Sequence, residues 1–389
     1  MTKKAFDEVV LFARTGLNPR TNFKLGNGNN KYITIKNIHN NRLVVDENTD
    51  LIDDEALGLI HKRSQIKEGD ILFCSIGRLG DMYIIPNEPK GWDINESVFA
   101  FTVDTNLIRQ KYFYYLFKNR DTIEYLSKNS SGSTFKSIKM NQLKKMVFEL
   151  PSLSEQDQIV DTLDLINNII EKRQNELARL DELIKARFVE MFGDPESDNK
   201  YPQIAVKDFT DVVSGGTPDR KNKEYWEEGT VPWVKTTELQ NNRIIDVEEK
   251  ITEKGLSESS AKMVPKDTIL IAMYGQGKTR GMTAILGIPA STNQACACLL
   301  PSENVIPEYL WQYMIMSYDR LRSLAQGGNQ PNLNGNMIKN FTVLMPPKEK
   351  QMDFVDFVKQ VDKSKVEVQK VLERTQFLFD SLMQKYFGG

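Results

Sequence analysis

The sequence predicts an α+β protein in which a globular unit, a long helix, a second globular unit and a second long helix follow one another, with the two helices pairing as an antiparallel coiled coil. Three observations carry this. The chain repeats itself at an offset of 195 residues, each copy contains a proline-free stretch with heptad spacing, and each stretch follows a region of short β-type apolar runs. A length of 389 residues allows two or three domains at roughly 150 residues each, and 40% hydrophobic content builds ordinary cores.

The repeat holds one register over its second half. Gly132, Asn141, Lys144, Pro151 and Gln156 fall on Gly327, Asn336, Lys339, Pro346 and Gln351, and Gln174, Leu177, Arg179 and Leu183 fall on Gln369, Leu372, Arg374 and Leu378. Phe192-Gly193 falls on Phe387-Gly388. Upstream the copies are looser. Asp70–Gly77 resembles Asp267–Gly275, and further β-type runs follow at Met82–Ile85 and Met282–Leu286, then at Ser97–Val103 and Ala295–Leu300. Aromatic-rich helical stretches come next, around Tyr112–Tyr125 and Tyr309–Leu321, and each globular unit closes on a strand ending in proline, Met146–Pro151 and Phe341–Pro346. The expected divisions are 1–150 and 196–346 for the globular units, 151–195 and 347–389 for the helical regions.

The first long helix is expected from Ser154, whose hydroxyl can cap it, to Phe192. Its apolar seam runs through Leu163, Ile166, Ile170, Leu177, Leu180 and Ile184, and the second seam through Val358, Val361, Val368, Leu372, Phe379 and Leu382. Arg173 and Arg187 interrupt the first, Lys365 and Thr375 the second. Polar interruptions at different heights favour one register and orientation. About 38 residues at 1.5 Å each give a rod on the order of 57 Å.

The chemistry of an enzyme is missing from the motifs. His39 and His61 both lie in the first copy, which excludes His-dependent or metal catalysis shared by the two halves. Cys296 and Cys298 alternate on a β-type run, facing one side, with no second ligand pair at zinc spacing, so a buried apolar role is expected. Gly275-Gln276-Gly277-Lys278-Thr279 looks like the end of a phosphate loop, but Ala272 stands where the required glycine would be. Glu248-Glu249-Lys250 only echoes a metal-dependent nuclease. Three cysteines make no disulfide framework, the start Met1–Val10 lacks the apolar core of a signal peptide, and no stretch is apolar enough for a membrane span. A soluble, cytoplasmic protein without bound cofactor or metal is expected.

A formal net charge of −2 argues against coating nucleic acid by bulk field, yet the charge is partitioned. Residues 1–150 carry +4 and 151–195 carry −5, whereas 196–346 and 347–389 carry −2 and +1. Basic and amide side chains gather on turns: Arg14, Arg20, Asn22, Lys24, Lys36, Asn37 and Arg78 in the first copy, and Arg220, Lys235, Thr236, Thr237, Lys278, Thr279 and Arg280 in the second. Two loops at equivalent places add Ser133, Thr134 and Lys136, and Asn329, Gln330 and Asn332. Such side chains hold phosphates and read base edges, so these, Arg14 and Asn22 apart, are the candidate DNA-binding residues.

Several motifs resemble the DNA sequence-specificity subunits of type I restriction–modification systems. They are the start of the first helix at Leu150–Gln156, its exit Phe188–Pro195, the echo Tyr386-Phe387-Gly388, and the runs Ser214–Pro218 and Val231–Thr236. The first copy departs from the pattern: Phe12–Arg20 matches Val213–Pro218 distantly, and Tyr32 is the nearest counterpart of Trp233. The resemblance implies two target-recognition domains that each read half of a split double-stranded DNA site, and paired helices that set the spacing and dock two methyltransferase subunits. It also implies that S-adenosylmethionine, ATP and Mg belong to partner subunits, among them restriction/translocase subunits, and that this chain is not catalytic. The residues alone leave open a two-headed coiled-coil scaffold that binds proteins, and an enzyme fragment separated from its catalytic domain.

Overall fold

Ile71-Leu72-Phe73-Cys74 is an unbroken apolar run, and all four side chains are buried because this strand has a core on each of its faces. On one face Ile71 and Phe73 pack with Phe101, Phe113 and Phe117; on the other, Leu72 and Cys74 pack with Ile33, Ile94 and Ala100. The computed structural model describes residues 2–132, 135–194, 198–275, 277–325 and 331–388. The chain divides into two units, Met1–Gln174 with Lys370–Gly389, and Asn175–Gln369. Each unit thus takes one globular region and half of each long helix.

The first unit holds an antiparallel sheet in the order Val10–Thr15, Val98–Val103, Ile71–Cys74, Met82–Ile84. Beside it Asn30–Ile33 pairs with Leu51–Ile52 and, in parallel, with Trp92–Ile94, while Thr2–Ala5 pairs with Val147–Leu150. The second unit repeats this order with Val212–Ser214, Cys296–Leu299, Ile269–Ala272 and Thr283–Leu286, to which Asn242–Ile244 adds a parallel edge. Val231–Val234 again pairs with two strands, Glu249–Ile251 and, in parallel, Ser291–Thr292. Gln203–Ala205 pairs with Thr342–Leu344. The duplication therefore holds for the order of the four shared strands and for the strand that pairs on both sides, even where the sequences diverge.

Cys296 and Cys298 point into one apolar core with Leu270, Ala272 and Leu286, as their alternation predicts. The aromatic-rich stretches are each two helices, Gln110–Lys118 and Arg120–Asn129 in one unit, Pro307–Met316 and Tyr318–Ser323 in the other. Asn119 makes the first break, its side chain accepting from the Thr122 N–H at 2.9 Å.

The long helices span Leu153–Phe192 and Lys348–Phe387. The cap of the first corrects the sequence expectation: Ser152, not Ser154, is the cap. Its hydroxyl accepts from the Glu155 N–H at 3.3 Å, and the Glu155 carboxylate accepts from the Ser152 N–H at 2.9 Å, a reciprocal capping box. Within each unit the helices run antiparallel. In the first, Val160 and Leu163 share a core with Met383, Phe379 and Leu382; in the second, Ile184, Phe188 and Phe192 share one with Phe354, Val355, Val358 and Val361. Of the expected seam, Leu163, Ile166, Ile170, Ile184, Val358, Val361 and Val368 are buried, and Leu177, Leu180, Leu372, Phe379 and Leu382 are half-buried. The polar interruptions find partners: Lys365 pairs with Asp181 across the two helices at 2.7 Å, and Arg187 stacks on Phe357 at 5.7 Å.

Candidate nucleic-acid interface

The loops that leave the central strands are built alike in both units. In the first, the Ile138 N–H donates to the Ser75 carbonyl at 2.9 Å; in the second, the Leu333 N–H donates to the Met273 carbonyl at 3.0 Å. This bond ties the loop after the central strand to the loop before the unit's last strand, and so gathers residues distant in sequence. Arg78 and Lys136 come together in this way, helped by the Gly77 N–H donating to the Lys136 carbonyl at 3.0 Å. Lys278, Thr279, Arg280 and Asn332 are gathered in the second unit, where the Arg280 guanidinium donates to the Pro331 carbonyl. Arg78, Lys136 and Lys278 are exposed, and Thr279, Arg280 and Asn332 half-buried. Ser133, Thr134, Asn329 and Gln330 lie outside the described residues.

Arg20, Lys24 and Lys36 are exposed as expected of contact residues. Asn37 is not available: it is buried, its amide donating to the Val44 carbonyl at 3.0 Å and accepting from the Thr34 N–H at 2.9 Å, because the turn needs a side chain to satisfy its backbone. Arg14 is likewise internal. Its guanidinium meets the fully buried Asp70 carboxylate at 2.7 Å and the Gln65 carbonyl at 2.7 Å.

Arg220 and Lys235 form a cluster that the sequence did not foretell. The Arg220 guanidinium lies 3.7 Å from the centre of the Trp226 ring and 4.7 Å from that of Trp233, and it pairs with Glu249. Lys235 reaches Glu248 at 2.7 Å and Glu249 at 2.9 Å. Hydrogen bonds to Glu248 and Glu249 hold the Lys235 ammonium above its ordinary value. Burial pushes Glu249 up, but the bonds from Arg220 and Lys235 outweigh it and hold that carboxylate below the usual range. The acidic pair that echoed a nuclease is thus matched by cations. Among the described residues no group of three or more His, Cys, Asp and Glu side chains could hold a metal ion. Thr236 and Thr237 open the short turn that follows, half-buried and exposed respectively.

The distant opening of the first copy proves structurally equivalent to that of the second. The Tyr32 hydroxyl donates to the Leu17 carbonyl at 2.7 Å, as Trp233 Nε1 donates to the Gly216 carbonyl at 3.0 Å. Gly16 and Gly215 both lie against the parallel strand, where a Cβ would collide with Ile94 and Thr292.

The sequence matches the family described as type I restriction modification DNA specificity domain twice, over residues 2–179 and 199–374. The chain belongs to this family. Each match takes in one globular region and most of the long helix after it, so the family's module and the structural repeat coincide. Among curated relatives, the MjaIX type I restriction enzyme specificity subunit of Methanocaldococcus jannaschii is 31% identical over 43% of this chain, and the EcoR124I/EcoR124II specificity subunit of Escherichia coli 28% over 38%. Those alignments span 40% and 37% of the relatives' own lengths. The HindI specificity subunit of Haemophilus influenzae is 20% identical over 74% of this chain and 79% of its own. A type I restriction-modification system S subunit from M. genitalium shares the fold, with a TM-score of 0.55 at 16% identity over 99% of this chain and 95% of its own. A chain of another solved type I system gives 0.59 at 16% identity over 100% and 97%. Among the described residues no helix is long and apolar enough to cross a membrane.

Proposed function

We propose that the chain is the DNA-recognising specificity subunit of a type I restriction–modification enzyme. Residues 1–150 and 196–346 serve as target-recognition domains, each reading one half of a split site in double-stranded DNA. The helical regions 151–195 and 347–389 fix the gap between halves and dock two methyltransferase subunits; restriction/translocase subunits complete the assembly in the cytoplasm. S-adenosylmethionine, ATP and Mg act on those partners, and this chain supplies address rather than catalysis. The observation that carries the reading is the twin pair of tied loops, present in both copies of a family module and presenting Arg78 and Lys136 in one and Lys278, Thr279, Arg280 and Asn332 in the other. Arg20, Lys24 and Lys36 extend the first contact surface, and Thr236 and Thr237 the second. Arg220 and Lys235 join it where phosphate replaces Glu248 and Glu249 as their partner.

Two separate readers add their discrimination, ~1–3 kcal/mol per base pair, without either needing a long interface. Family membership speaks against the protein-binding scaffold. Mapping methylated adenines in the source genome tests the proposal: one split motif with a constant gap, lost when this chain is deleted, is the expected outcome. An unchanged methylation pattern after deletion would refute it.

A further inference from the structure

We propose that Phe135 is an aromatic wedge that enters the base stack of the half-site met by the first unit. The inference rests on the DNA-recognition reading above and assigns a contact that reading leaves out. Phe135 is 67% exposed, although a phenylalanine ring ordinarily gains by burial. The backbone holds it there. Ser131 and Ser137 exchange both backbone hydrogen bonds, at 2.9 and 2.8 Å, and close the loop at its base. Gly132 turns it at φ +106°, where a Cβ would collide with the Phe135 carbonyl. A Cβ on Gly77 would lie 3.9 Å from the Phe135 ring, which places the ring beside Gly77, the residue before Arg78.

The surroundings select the partner. Arg78 follows Gly77 and Lys136 follows Phe135 in the chain, and both are exposed, with the Lys136 ammonium donating to the Ser127 hydroxyl; Ile35, which the exposed Lys36 follows, reaches the same glycine. An apolar ring among cations complements a polyanion whose interior is stacked bases: the cations meet phosphates while the ring meets a base face. The core of a protein–protein interface would instead be depleted of charged side chains around its aromatic anchor. Phenylalanine is among the side chains that unstack a base step by insertion, and unstacking eases extrusion of a base toward an enzyme that must modify it. In the sequence repeat Gln330 takes the place of Phe135, so the wedge belongs to the first half-site alone.

The test uses the full chain co-purified with its methyltransferase subunits and duplexes that the wild-type complex selects from a random-sequence library, with 2-aminopurine placed in turn at each adenine of the site. Wild type is expected to raise fluorescence at one step. Phe135→Ala should abolish that rise and weaken binding on the order of ten-fold while leaving the salt dependence unchanged, and Phe135→Trp should restore both. Lys136→Ala should do the reverse, lowering the salt slope and keeping the fluorescence. Wild-type affinity and fluorescence in Phe135→Ala would overturn the wedge. So would unchanged DNA binding with loss of co-purified methyltransferase subunits, which would make Phe135 a protein contact. A wild-type complex that selects no sequence at all would instead bring down the DNA reading itself, and the wedge with it.

Discussion

Gln351 is almost completely buried, and its amide is fully used: Nε2 donates to the Pro346 carbonyl at 2.8 Å and Oε1 accepts from the Ile306 N–H at 2.9 Å. Gln156 does the same in the first copy, donating to the Leu107 and Pro151 carbonyls at 2.9 and 3.1 Å and accepting from the Arg109 N–H at 2.9 Å. Each glutamine therefore pins its long helix to the segment that opens the adjoining aromatic helix. The repeat marked both positions, but only the structure gives their role, since a side chain's partners across 45 residues leave no local signal. Gln351→Leu leaves an N–H and a carbonyl buried without partners and should cost about 2–4 kcal/mol. Urea unfolding checks this as a lower midpoint at unchanged slope; equal midpoints would show the bonds to be dispensable. The cysteines give a second residue-scale prediction. Burial pushes the Cys74 thiol up to about 12 and Cys298 to about 11, and raises Cys296 well above its ordinary value. Thiolate is therefore scarce at pH 8, and the native chain should resist alkylation while all three thiols react after denaturation.

At the scale of elements, the seam was readable because heptad spacing survives wherever a helix is buried along one stripe. The aromatic end of that seam was harder to read. Phe188, Phe192 and Phe354 are fully buried together with Tyr309; Phe354, seven residues before Val361, continues the heptad seam, yet Phe188 falls outside it because it faces the globular region as well as the other helix. The loops were located by their polar composition, whereas inward residues such as Asn37 and Arg14 look no different in sequence from outward ones. Lys365 was read as an interruption, and its partner Asp181 became evident only once the antiparallel register was known. Their ion pair is half-exposed, so its coupling should be modest, about 0.5 kcal/mol. A double-mutant cycle with Lys365→Met and Asp181→Asn measures it. A coupling near zero would move the choice of register wholly onto the apolar seam.

On the scale of the whole molecule, a net charge of −2 conceals a +4 first globular region beside a −5 helical region. In the first copy the positive charge lies on the globular region and the negative charge on the helix, whereas the second copy, at −2 and +1, does not share this partition. The shared strand order explains why the globular regions could diverge in sequence without losing their architecture. Buried strands need only apolar side chains of suitable size, and the tied loops are held by backbone bonds that any side chain permits. Target choice and site spacing should then be separable by engineering. Inserting one heptad after Gln174 and another after Gln369 keeps the seam in phase and adds ~10.5 Å to each helix, equivalent to about three base pairs of DNA. Because seven residues preserve the a and d positions, the insertion leaves the recognition loops untouched. The expected methylation motif keeps both half-sites and widens only its gap. A motif with altered half-sites and the original gap would mean that the helices do not set the spacing, and that the two globular regions find their separation on DNA by other contacts.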